Sequence, residues 1–187
     1  MANYSSDTVS ILLGKGNGDF QSAVSYPGGT EPDFVAVGDF NGDGVPDLAV
    51  ANYGTQSISI LPGKGDGTFQ SAVSYGAGKG PKSVALADFN GDGKTDLAVA
   101  NFATDGTVSI LLGKGDGTFQ PVTSYPAGST PYSVAVGDFN NHGKPDLAVA
   151  VGLLPVDSAG RPGCVSILLG KGNGAFPRSK LQSECGP

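Results

Sequence analysis

An all-β chain built from repeated antiparallel units is predicted by three observations. A nine-residue acidic loop, Asp39-Phe40-Asn41-Gly42-Asp43-Gly44-Val45-Pro46-Asp47, returns as Asp88 to Asp96 and, altered, as Asp138 to Asp146, at spacings of 49 and 50 residues. Short runs rich in Val, Ile, Ser and Thr flank each copy, with 31 Gly and 13 Pro placed largely between them, the balance of short strands joined by tight turns. No heptad or helical apolar periodicity stands out anywhere in the chain.

The first complete unit, 33–75, parses into four strands. Asp33-Phe34-Val35-Ala36-Val37-Gly38 leads into the acidic loop, and Leu48-Ala49-Val50-Ala51 leads out of it. Ser57-Ile58-Ser59-Ile60-Leu61 follows with the alternation of a half-buried strand. The turn Gly63-Lys64-Gly65-Asp66-Gly67 then reverses the chain into Phe69 to Tyr75, its glycines supplying the positive φ that short hairpins need. A second unit spans 82–125, and a third spans 132–176 with an insertion within 151–164. A half unit, 7–26, precedes them and a tail, 177–187, follows. Four-stranded units at a period near 50 residues are read as the blades of a β-propeller, each burying its faces against its neighbours. The expectation is one repeat array over 1–187, about three and a half blades, forming an incomplete ring or a fragment.

The formal charge of −6 comes from 15 Asp and 2 Glu against 11 Lys and Arg, and eight of those Asp lie in the three loops. Three divalent ions would cancel it. No basic cluster supports nucleic acid binding, and no apolar run approaches the ~20 residues of a membrane helix. Met1-Ala2-Asn3-Tyr4 does not begin a secretory signal. Cys164 and Cys185 have no metal-ligand spacing, and whether they pair is left open.

Side-chain oxygens at loop positions 1, 3, 5 and 9, with a backbone carbonyl at 7, suit a hard divalent cation, most plausibly calcium. The first loop offers Asp39, Asn41, Asp43 and Asp47 with the carbonyl of Val45. The second offers Asp88, Asn90, Asp92 and Asp96 with that of Lys94. An EF-hand is excluded, because position 12 is Val50, Val99 or Val149 within a strand rather than a bidentate Glu. In the third loop Asn141 replaces a Gly and His142 stands where the third carboxylate should be. Imidazole is a poor ligand for a hard cation. Two calcium sites are therefore expected, with a third, weak or empty, left with Asp138, Asn140 and Asp146. The ion's expected role is to clip two strands of a blade.

The stretch Asp39 to Val50, with its matches from Asp88 and Asp138, resembles the FG-GAP and VCBS-type repeats of integrin-α-like β-propellers, whose blades carry a calcium loop of the form Asp-x-Asx-x-Asp-Gly-x-x-Asp. Ala51-Asn52 and Ala100-Asn101 stand where integrins have Gly-Ala-Pro, so the VCBS-like branch is the nearer match. The resemblance implies an extracellular, non-enzymatic recognition or adhesion module, with a structural scaffold or an accessory domain of a secreted hydrolase as alternatives.

Strand parity puts the acidic loops and the Gly-Lys-Gly turns at one end of the blades and the varied loops at the other. That variable-loop face is where a glycan or protein ligand is expected. Phe20, Phe69, Phe119 and Phe176, like Phe40, Phe89 and Phe139, recur with the repeat and read as packing. Tyr53, Phe102 and Tyr132 lie on or beside the varied loops, where rings could stack on sugars. Exposed blade edges also predict self-association. No catalytic residues are expected: the Gly-Lys-Gly turn lacks Walker spacing, and the single His lies in the altered loop.

Overall fold

The computed structural model describes residues 1–152 and 163–177, so most of the 151–164 insertion, the tail beyond 177 and Cys185 lie outside the described residues. Four antiparallel sheets follow one another along the chain. The first holds β1 (Ala2–Asn3), β2 (Thr8–Ile11) and β3 (Val24–Pro27). The second holds β4 (Pro32–Gly38), β5 (Asp47–Asn52), β6 (Ser57–Leu61) and β7 (Val73–Gly76). The third repeats it as β8 (Pro81–Ala87), β9 (Asp96–Asn101), β10 (Thr107–Leu111) and β11 (Thr123–Pro126), and the fourth holds β12 (Pro131–Gly137), β13 (Asp146–Val151) and β14 (Cys164–Leu168). Every sheet runs up and down in sequence order, and no described helix is long and apolar enough to cross a membrane.

Two elements differ from the sequence reading. The first sheet has a third strand, β1, because Ala2-Asn3 takes the place that Ala51-Asn52 takes beside β6, pairing Ala2 with Val9. The fourth strand of each full blade is also shorter than expected. Phe69 forms only an isolated bridge with Gly63, and Phe119 with Gly113, before the ladder resumes at Val73 and Thr123.

The sheets stack as propeller blades do. The first strands β4, β8 and β12 adjoin one another, so the innermost strand of each complete blade faces that of the next. The core lies between blades, and strand parity decides which residue faces which neighbour. Leu97 and Val99 point back into the layer holding Ala49, Ala51, Ile58 and Ile60, while Ala98 and Ala100 point forward to meet Leu147, Val149 and Val151. Alternation of small and large residues on β5 and β9 thus sets Ala of one blade against Leu and Val of the next, which lets the sheets approach closely without voids. Both strands are buried along their whole length.

Phenylalanines close the same layers at the acidic-loop end. Phe40 meets Phe119 edge-on at 5.9 Å, and Phe89 meets Phe176 at 5.5 Å. Phe139, the third copy, is 51% exposed, with no described residue of a further blade over it. At the opposite end an amide, buried at Asn52 and Asn101 and half-buried at Asn3, pins strand to strand: Asn52 Nδ2 donates to Ser59 Oγ at 2.8 Å, Asn101 Nδ2 to Ser109 Oγ at 2.8 Å, and Asn3 Nδ2 to Ser10 Oγ at 2.7 Å.

The interleaved layers carry their own test. Ala100 is fully buried, whereas Ala150, at the equivalent place on β13, is exposed. Ala100→Leu is expected to overpack the layer and cost about 1–3 kcal/mol. Ala150→Leu should stay within about 0.5 kcal/mol. Paired denaturant melts measure the difference.

Candidate functional site

Each acidic loop begins where a first strand ends and is tied by its own carboxylates. Asp39 accepts from Gly42 N at 2.7 Å through Oδ1 and from Gly44 N at 2.9 Å through Oδ2. Asn41 Oδ1 accepts from Asp43 N at 2.9 Å, and Asp43 Oδ1 from Val45 N at 2.7 Å. The second loop repeats these bonds: Asp88 accepts from Gly91 N and Gly93 N at 2.7 and 2.8 Å, Asn90 from Asp92 N at 2.9 Å, and Asp92 from Lys94 N at 3.0 Å. Gly91 and Gly93, at φ 79° and 78°, supply the left-handed turns that wrap the amides around Asp88. Gly44 and Gly42 amides hold the Asp39 carboxyl below its ordinary range. For Asp88, burial pulls upward, but the Gly93 and Gly91 amides outweigh it and the net displacement is down.

The last carboxylate of each loop behaves differently. Asp47, Asp96 and Asp146 are buried, and each bonds two backbone amides from separate segments. Asp47 accepts from Phe40 N at 3.0 Å and Gly63 N at 2.8 Å. Asp96 accepts from Phe89 N at 2.8 Å and Gly113 N at 2.7 Å, and Asp146 from Phe139 N at 3.0 Å and Gly170 N at 2.8 Å. One side chain thus joins the loop's start, the second strand's start and the turn after the third strand. Glycine is required at 113 because a Cβ there would run into the carbonyl oxygen of Thr95. Burial pushes the Asp96 carboxyl up to about 6 against the downward pull of the Gly113 and Phe89 amides, and the charges of Asp92 and Asp88 add to the rise.

The first two loops fit a hard cation. Each carries three carboxylates and an amide oxygen, and among the described residues none of those six carboxylates pairs with a Lys or Arg, although their oxygens do not draw together as those of the third loop's Asp138, His142 and Asp146 do. Calcium would be held by Asp39, Asn41, Asp43 and Asp47, and by Asp88, Asn90, Asp92 and Asp96, with Val45 and Lys94 offering carbonyls. The third loop keeps the frame. Asn141 adopts φ 56°, Asp138 accepts from Gly143 N at 2.7 Å and His142 N at 3.0 Å, and Asn140 Oδ1 accepts from His142 N at 3.2 Å. Its ring, however, turns inward, with Nδ1 3.2 Å from Asp138 Oδ1 and Nε2 2.9 Å from Gly170 O.

At the opposite end of the blades, a cleft of about 500 Å³ opens between the second and third sheets. Tyr53 and Phe102 line it together with Glu31, Gln56, Lys79 and Asp105. Tyr132 does not line it but packs edge-on against Phe102 at 4.9 Å, and Lys82 Nζ lies 5.0 Å above the Tyr53 ring while pairing with Asp33 at 2.9 Å. Tyr53 and Phe102 also prove to be in register with each other and with Tyr4, each following Ala-Asn. The charged residues of the cleft were not singled out from sequence, since they sit in loops that differ between units.

Comparison with known families places these loops. Residues 1–50, 39–99 and 89–149 each match the FG-GAP-like repeat, every match ending just after an acidic loop. The chain belongs to the FG-GAP-like repeat family. Among solved structures, this FG-GAP-like chain is similar to the Photorhabdus luminescens Tc holotoxin pore at 21% identity and a TM-score of 0.47, covering 78% of this chain and 7% of that one. It is also similar to the V. cholerae biofilm matrix protein Bap1 at 18% identity and a TM-score of 0.39, covering 90% of this chain and 38% of that one. The chain therefore spans well under half the length of either. None of the curated proteins compared matches it.

The two kinds of FG-GAP-like loop carboxylate are separable by mutation. Asp96→Ala strands two buried amides and should cost about 2–6 kcal/mol even with calcium chelated, at about 1–3 kcal/mol for each donor left unpaired. Asp92→Ala, exposed, should leave the chelated protein within about 1 kcal/mol of wild type and remove the calcium-dependent part of its stability at that loop. Thermal melts with and without chelator distinguish the two.

Proposed function

We propose that this FG-GAP-like array is a calcium-clipped, non-enzymatic recognition module that works outside the cell. The observation that carries this reading is the division of labour between the two blade ends. Near-identical acidic loops occupy one end. The cleft at the other sets two rings that recur in register, Tyr53 and Phe102, among polar side chains, Glu31, Gln56, Lys79 and Asp105, from loops that differ from unit to unit. Calcium would draw together and neutralise the three carboxylates carried by each of the first two loops and brace the strand junction that Asp47 and Asp96 already close. A rigid blade pair would then hold Tyr53 and Phe102 at fixed separation.

The cleft combines two aromatic rings with acids, a lysine and an amide, the mixture that binds sugar rings by stacking and hydroxyl groups by hydrogen bonds. A glycan is therefore the favoured ligand class, with a protein loop as the alternative. A scaffold without a ligand is the second reading, favoured by one observation: both rings are already engaged within the chain, Tyr53 by Lys82 and Phe102 by Tyr132. Glycan-array binding that is lost in a Tyr53→Ala, Phe102→Ala double variant supports recognition. An array silent with and without calcium leaves the scaffold.

Calorimetry should resolve two calcium sites with Kd of roughly 10⁻⁴–10⁻³ M. Calcium at a hundred-fold excess over Kd should then stabilise the fold by about 2.7 kcal/mol per site. Calcium needs its carboxylates ionised. With Asp96 at about 6, binding at the second loop should be complete above that pH and weaken as pH falls through it, earlier than a site made of ordinary carboxylates. Titrations at about pH 7.5 and 5 check the sign.

A further inference from the structure

We infer that the third loop is a site for a borderline divalent transition metal of the zinc class, held by Asp138, His142 and Asp146, and not a calcium loop that has decayed. The inference rests on reading the acidic loops as cation sites, but the donor chemistry of this copy is its own. One ligand atom from each of the three residues lies within 4.8 Å of both others, the one group of His, Cys, Asp and Glu among the described residues to converge in this way. Ligands about 2.0–2.2 Å from a common ion stand roughly 3–3.5 Å apart, and Asp138 Oδ1 and His142 Nδ1 are separated by 3.2 Å.

The arrangement of the imidazole points to a cation at Nδ1. Nε2 lies 2.9 Å from the carbonyl oxygen of Gly170, which can only accept, so Nε2 carries a hydrogen and donates it. In the neutral ring Nδ1 then holds a lone pair, and that lone pair faces a carboxylate oxygen. Two acceptors do not stay 3.2 Å apart unless a positive charge lies between them, either a proton or a metal. A ring N–H given to a backbone carbonyl while the other nitrogen ligates is also how metal-bound histidines are held.

The other two loops provide a control within the same chain. At the position of His142 they carry Asp43 and Asp92, carboxylates that accept from Val45 N and Asn41 Nδ2 and from Lys94 N and Asn90 Nδ2. His142 instead sets an imidazole between the two carboxylates, its Nδ1 facing Asp138 and its Nε2 edge, bonded to Gly170 O, lying 3.9 Å from Asp146 Oδ1. Asp146 is in turn fixed by the amides of Phe139 and Gly170. Two carboxylates and a neutral imidazole balance a divalent ion, and imidazole favours zinc, nickel, cobalt or copper over calcium.

His142 is the only histidine in the chain, so its imidazole nitrogen resonances are unambiguous. The full chain is titrated first with calcium chloride and then, in excess calcium, with zinc chloride, while those resonances and the loop amides of Gly44 and Gly93 are followed. Zinc at one equivalent should move Nδ1 to a metal-bound shift with Nε2 remaining protonated, and calcium should not. His142→Gln should weaken zinc binding at least about tenfold. His142→Asp should abolish it and add a third calcium site by calorimetry. The inference fails if Nδ1 stays protonated at saturating zinc, if calcium produces the same change, or if zinc binds the His142→Gln variant as tightly as wild type. The Gly44 and Gly93 amides report calcium in the first two loops separately, so the broader calcium reading stands or falls on its own signal.

Discussion

The structure depends on a buried carboxylate that bonds two amides. An ionised group under a blade is costly unless its lone pairs are occupied, and at Asp47, Asp96 and Asp146 the donors come from the acidic loop and from the turn after the third strand. The consequence reaches beyond the blade. The amide that Asp47 holds belongs to Phe40, whose ring packs on Phe119 of the next blade and whose carbonyl accepts from Gly117 N of that blade at 2.9 Å. Asp96 holds Phe89 in the same way, with its ring on Phe176 and its carbonyl bonded to Gly174 N at 2.8 Å. Closing a blade and docking its successor are therefore one event at one residue.

The acidic loops lie at this junction: the first two each carry the inter-blade phenylalanine as their second residue, while Tyr53 and Phe102 stand at the far end. The polar pins Asn52–Ser59 and Asn101–Ser109 hold that far end of the second strand, so each of these two blades is fastened at both ends of its most buried strand.

Much of this was legible in the residues, for physical reasons that also mark where reading stopped. The period of the acidic loops and the alternation in Ser57–Leu61 sufficed for blades, but that strand is buried along its whole length, Ser57 and Ser59 included, rather than half-buried, because blades pack against both of its faces. Ala2–Asn3 was missed as a strand because two residues carry no periodicity; its equivalence to Ala51-Asn52 is visible only in alignment with the other units. Phe69 to Tyr75 alternates like a strand, yet a Gly63–Phe69 bridge lets the chain leave the ladder before Val73. Loop oxygens can be counted from sequence, but not who uses them. Asp43 and Asp47 look equivalent in a motif, and only the fold shows one at the surface and the other under two amides. His142 read only as an imidazole in place of a carboxylate, because a one-dimensional motif records identity and not the bonds its ring makes to Asp138 and Gly170.

The interleaving of Ala49 and Ala51 with Leu97 and Val99, repeated by Ala98 and Ala100 with Leu147 and Val149, gives the second strand of these blades a thin leading side and a thick trailing one, with Ile58 and Ile60, and then Val108 and Ile110, filling the same layers beside it. Such a strand has a direction, like a stack of cups, and two leading sides set against each other would bring Ala to Ala. The 82–125 unit is thus an interchangeable cassette: a duplicate spliced behind it would find a matching surface on each side, and an inverted one on neither.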